Sequence, residues 1–192
     1  MNRRRYSPDP AAAARADRMN RIRRVSAIMA HACLAVAALL TLGLAVYWWV
    51  TPAEGLFRQA GLQLAPPAEL ATTLRLGTFA IAMTPLAALV YGLFAARRCF
   101  AAFAAGHVFS REAIGGLRAF AVAAAISALL QPLAGAALGV VLSGASPTGG
   151  HSLVINVGSD TLLSLLFAAM VGLIAWILAE ATEIADENQQ FV

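Results

Sequence analysis

Four stretches of the chain, 25–53, 76–96, 119–159 and 161–179, contain no Asp, Glu, Lys or Arg. Each is long enough to hold the ~20 apolar residues that cross a ~30 Å hydrocarbon core as a helix. The pattern predicts an all-α, polytopic membrane protein: four transmembrane helices in a compact bundle, with spans at about 25–50, 73–96, 119–142 and 160–180. Residues 1–20 precede this 21–192 membrane domain as a disordered or partly helical arm, holding Pro8, Pro10, a run of Ala and scattered Arg.

Local signals refine each span. The first runs from about Arg21 to Trp49 and closes on Tyr47, Trp48 and Trp49, an aromatic cluster suited to an interface. An Arg-rich start before an apolar run also describes a signal peptide, but signal cores run only ~7 to 15 residues, so a retained anchor is expected. Between the first two spans, Glu54 to Leu64 can form a short helix on the membrane with Leu56, Phe57 and Leu62 dipping in. Pro66 and Pro67 suit a helix's first turn, which predicts a second helix from Pro67 toward Ala105. Arg75 would snorkel to the outer interface, and Pro85 would kink the span and free the carbonyl of Ile81. Gly106 is placed to end that helix in a left-handed cap. Ser110 can cap the next, with Glu112 near its positive end and Phe109 and Ile114 at hydrophobic-staple spacing.

The third span carries Gln131 and Pro132 near its middle, then Gly135, Gly139 and Ser143 at four-residue spacing. Small residues four apart let a second helix approach closely, and Ser164, Ala168 and Gly172 of the fourth span form the matching stripe. Gln131 shares the first stripe's face and needs a partner inside the bundle. With no acid or base at that depth, interhelical bonding outweighs a substrate path as its role. Residues 143–159 are rich in Gly, Ser, Pro and Thr, and the alternation from His151 to Val157 is strand-like, predicting a short outer strand or hairpin around Pro147 to Gly150. Ser159 or Asp160 can cap the last helix. At its far end Glu180, Glu183 and Glu187 share one face, with Asp186 beside them. Carboxylates there oppose the macrodipole, so Arg97, Arg98 or the Arg21–Arg24 cluster are the expected partners, against the plainer alternative of a solvated acidic end.

Composition agrees with the spans: 60% of residues are hydrophobic and 12% charged, against roughly 45 to 50% and 25% in soluble domains. All 14 basic residues are Arg, and only Arg58 and Arg75 lie in the first outer loop and at the start of the second span. The other twelve precede the first span or flank the 97–118 loop. Short arginine-rich loops stay in the cytosol, so both termini and that loop are expected inside, leaving a net +5 inside and −1 outside. Anionic lipid is expected to be held at the cytosolic face. Cys33 and Cys99 fall toward that reducing side in no metal-spaced pattern. His31, His107 and His151 sit at three different levels, so neither catalytic nor metal residues, and no cofactor, are expected.

Two segments resemble a known family. Gly106-His107-Val108-Phe109-Ser110 before a helix is similar to the inner-loop signature of the bacterial domain-of-unknown-function family 2975. The end from Ile177 to Glu180 and from Asp186 through Asn188 to Val192 is similar to its closing segment. The resemblance covers the chain from the first span onward and implies a four-helix inner-membrane protein of uncharacterised function. Since many members are encoded beside small helix-turn-helix regulators, it also implies signalling or regulator tethering for some of them.

The leading expectation is thus a non-enzymatic membrane partner or regulator. It would bind a small helix-turn-helix regulator or another membrane protein through its cytosolic face, with Arg97, Arg98, Glu180, Glu183 and Glu187 as candidate contacts and no direct nucleic-acid binding. The alternative is a small transporter or channel subunit, supported by His31, Gln131 and the Pro85 kink.

Overall fold

The computed structural model describes residues 10–62, 64, 67, 70–107, 110–146 and 157–190, with side chains described from Asp17 to Ile184 within those segments. They form five helices: α1 (Pro10–Val50), α2 (Ala53–Gln59), α3 (Thr72–Ala104), α4 (Arg111–Ser143) and α5 (Ser159–Gln190). Four of them, all but α2, are long and apolar enough to cross a membrane, with mean hydropathy from 1.9 to 2.5. The chain is therefore a multi-pass, all-α membrane protein. No strand occurs among the described residues; the expected hairpin at Pro147 to Gly150, the Phe109 staple and the Pro66 start lie outside them.

Helix α1 begins at Pro10, so the arm is helical over 10–20, the partly helical alternative, and continues unbroken into the first span: Pro fits a helix's first turn and the Ala run after it is the best helix-forming sequence available. One boundary differs from expectation. Helix α3 begins at Thr72 rather than Pro67. Leu64 and Leu70 instead pack against a cluster of Phe57, Leu62 and Leu142. That cluster also corrects the reading of α2: Leu56, Phe57 and Leu62 are buried against the protein, not dipped into lipid.

Each span packs mainly on its neighbours in the chain: α1 on α3, α3 on α4, α4 on α5. The α3–α4 contact is the closest. A Cβ on Gly116 would stand 2.7 Å from the Ala95 carbonyl oxygen and 3.1 Å from Cys99 Cβ, and one on Gly92 would stand 2.9 Å from Ala123 Cβ. Cys99, Ala102 and Ala113 fill one end of this contact. In mid-span the buried Ser127 hydroxyl donates to the Pro85 carbonyl oxygen at 2.8 Å. Pro85 and Pro132 both lie inside continuous helices.

An arginine stands at each end of the contact between α1 and α3. Arg75 of α3 donates to the carbonyl oxygens of Trp49 and Thr51, each at 2.9 Å, where α1 ends. The Trp48 indole beside it donates to the buried Thr78 hydroxyl at 3.2 Å. At the other end Arg23 of α1 covers the Gly106 turn that closes α3, its Nη2 lying 2.6 Å from where a Gly106 Cβ would stand. Two antiparallel helices thus each place a cation at the negative end of the other's dipole.

Helix α5 buries only a narrow strip against α4, namely Thr161, Ala168 and Ala175, seven residues apart. Leu162, Leu163, Leu166, Phe167, Met170, Leu173 and Trp176 face outward. Such a face is stable in lipid, whose tails are as apolar as leucine.

Candidate functional site

The arginine-rich end of the molecule is shaped by the turn that closes α3 and the cap that opens α4. Gly106, at φ +92°, closes α3 in the left-handed conformation that the sequence predicts. Ser110 then caps α4, its hydroxyl oxygen accepting from the Ala113 amide at 3.2 Å, with Glu112 in the first turn. This sets Arg111 and Arg118, seven residues apart on one face of α4, beside the last turns of α5. With Gly115, Trp176, Ala179, Thr182 and Glu183 they line a cavity of about 640 Å³. A neighbouring cavity of about 400 Å³ shares Gly115 and Arg118 and runs along α4 to Val122 and Ile126, with Tyr91 of α3 on its other wall.

The expected partners of the acidic stripe are not its neighbours. Arg97, Arg98, Glu180 and Glu183 are all exposed, and among the described residues the one ion pair within 4.0 Å joins Glu54 to Arg58 on α2. The reason is helix order: α4 stands between α3 and α5, so Arg97 and Arg98 emerge away from α5, and the arginines sharing a cavity with Glu183 are Arg111 and Arg118. Glu187 falls in the part of α5 whose side chains are not described.

The small-residue stripes also meet differently from expectation. Gly172 faces Ala121, with 3.6 Å between its would-be Cβ and the alanine's. The fourth span's stripe contributes Ala168 to the buried strip, whereas Ser164 is half-buried. Gly139 is buried in α4, but a Cβ on Gly135 would meet no described atom within 4 Å. The antiparallel register that sets Gly172 against Ala121 carries Gly135 past Ser164, to the level of Gly158 and Thr161, where it borders a cavity of about 290 Å³.

Gln131 has no hydrogen bond among the described residues and is exposed. It lines that cavity, with Asp160, and a second of about 320 Å³ with Ser127, Ser164 and Phe167. The polar bond between helices at this depth is made by Ser127 instead. His31 spends its Nδ1 proton on the Ala27 carbonyl of its own helix at 2.7 Å. No three His, Cys, Asp or Glu side chains gather among the described residues.

The residues that sequence reasoning missed as located charges are Arg23, Arg111 and Arg118; Arg75 it placed at the outer interface, but without the Trp49 and Thr51 carbonyls that hold its guanidinium there. Aligning the spans as antiparallel neighbours already puts Arg75 level with Trp49 and Arg23 level with Gly106, and the i, i+7 spacing puts Arg111 and Arg118 on one face.

A search of curated proteins and a search of solved structures each find no match. A family model described as "Protein of unknown function (DUF2975)" matches residues 59–192, from the end of α2 to the last residue, so α1 lies outside the match although the resemblance in sequence extended to it. Covering well over half of the chain and all of α3, α4 and α5, that match makes the protein a member of the DUF2975 family.

Proposed function

We propose that this is a non-enzymatic protein of a bacterial inner membrane that binds a partner through its arginine-rich end, which faces the cytosol. One observation carries the reading: Arg97, Arg98, Glu180 and Glu183 all emerge exposed at one end, and none is engaged in an ion pair among the described residues. Charges that neither close the fold nor cap a helix are free to meet a complementary surface, which electrostatic attraction finds quickly and holds in register. A soluble regulator, including one of helix-turn-helix type, or a second membrane protein fits such a surface; DNA itself does not, because acidic and basic groups are mixed on it.

Affinity capture in gentle detergent tests the reading. The full chain retains a partner that is lost when Arg97 and Arg98 become Gln and when the chain is truncated after Glu183. A truncated chain that still captures every partner of the full one would falsify a role for the end of α5.

Transport is the second reading, favoured by Gln131, which borders both the cavity at Asp160 and the mid-span cavity at Ser127 and Ser164. Solute flux in proteoliposomes that falls in Gln131→Leu supports it over partner binding.

A further inference from the structure

We infer that the groove along α4 at the arginine-rich end is a binding site for one anionic phospholipid, its phosphate held by Arg111 and Arg118 and one acyl chain laid along Val122 and Ile126. The two cavities at this end have unlike walls and share a rim. The first offers two guanidinium groups and the Trp176 indole, beside Thr182, whose hydroxyl donates to the Ala179 carbonyl at 2.7 Å; the second is bordered by Ala88, Tyr91, Val122, Ala123 and Ile126. Gly115 and Arg118 belong to both. A ligand filling them together must be charged at one end and apolar at the other.

The dimensions fit a lipid standing in the leaflet. At 1.5 Å per residue, Arg111 and Arg118 stand about 10 Å apart along the axis, and Ile126 lies about 12 Å deeper. A headgroup would thus sit between the arginines while the chain descends beside Tyr91. Gly115 stands midway between them, and no described atom lies within 4 Å of where its Cβ would be, so the floor of the groove is open to the α4 backbone. Ser110 leaves the other first-turn amides of α4 facing the same end.

Charge selects among lipids. Among the described residues Arg111 and Arg118 have no ion-pair partner and Glu183 is the one acid on the cavity wall, which leaves the described lining at +1. A headgroup bearing one negative charge and hydroxyls neutralises it, with the hydroxyls donating to Glu183. Basic pockets between membrane helices hold phosphate headgroups in this way. A choline headgroup brings no net charge and cannot donate to Glu183.

The site is independent of any protein partner, so its test needs none. The purified full chain in neutral detergent is titrated with phosphatidylglycerol or phosphatidylcholine of identical chains, and bound lipid is counted by native mass spectrometry. The parent should bind phosphatidylglycerol roughly tenfold more tightly, the preference that one net charge at the interface provides. Arg111→Gln with Arg118→Gln should abolish the preference. Ile126→Trp, which fills the apolar groove with both arginines intact, should weaken both lipids. Arg97→Gln with Arg98→Gln, at the same level but off the groove, should keep the preference. Equal binding of the two lipids by the parent overturns the inference. So does a preference that survives loss of Arg111 and Arg118, or one lost equally with Arg97 and Arg98, which would mark a diffuse surface potential. Glycerol phosphate that displaces the lipid as well as a second lipid does would show that the groove contributes nothing, and overturns it too.

Discussion

Arg75 and Gly116 show how much single positions decide in this protein. Arg75 donates two charge-assisted hydrogen bonds to the end of α1. Arg75→Met leaves those carbonyls to water, and because the side chain is only half-buried the cost should be about 1–3 kcal/mol, below the sum for two fully buried bonds. Thermal unfolding in detergent would read this as a lowered Tm, with Arg75→Lys between the variant and the parent. Gly116→Ala should cost about 1–3 kcal/mol, since its methyl must displace the Ala95 backbone. Gly135→Ala meets open space and should be neutral or stabilising, by up to ~1 kcal/mol, as Ala is the better helix former. The sequence pointed to the opposite ranking. A glycine stripe marks where a helix can be approached closely, but the closest approach is set by the neighbour's register: Gly116 stands in no four-residue repeat, and Gly92 stands in one of the same kind, between Ala88 and Ala96.

Helix ends were more legible than helix contacts. The Gly106 and Ser110 turn was readable because its chemistry is local: a left-handed φ favours Gly, and a cap needs a short side-chain oxygen beside a free amide. Ser110→Ala should accordingly cost about 1 kcal/mol, measured as the same Tm difference. The contacts of Arg23 and Arg75 at the end of a helix other than their own were not legible, because they depend on which spans are neighbours. For the same reason the acidic end of α5 was assigned to Arg97 and Arg98, although α4 separates them. The strip on α5 gives a sharper check. Ala168→Leu drives a larger side chain into the contact with α4, whereas Ala169 is exposed next to it. Loss of stability in Ala168→Leu and none in Ala169→Leu is expected, and equal stabilities would mean that α5 does not use the Thr161, Ala168 and Ala175 strip.

The four spans and their count follow from an absence of charge that no soluble fold tolerates, and the family match rests on the three of them that follow α2. Orientation follows from a different asymmetry. Arg18, Arg21, Arg24, Arg97, Arg98, Arg111 and Arg118 are exposed at one end, while at the other Arg75 is engaged on α1 and Arg58 is paired with Glu54. Basic residues resist translocation across the membrane, so the first end should be cytosolic. Cysteine labelling of intact cells tests this once Cys33 and Cys99 are replaced. Ser146 is a poor probe because it is 7% exposed; Val157, exposed just before α5, is a good one. A membrane-impermeant maleimide should label Val157→Cys in intact cells and Arg98→Cys only after permeabilisation. Labelling of Arg98→Cys from outside would invert the molecule, turning the exposed charges of α3 and α5 away from any cytosolic regulator while leaving the α4 groove able to hold a lipid of the other leaflet.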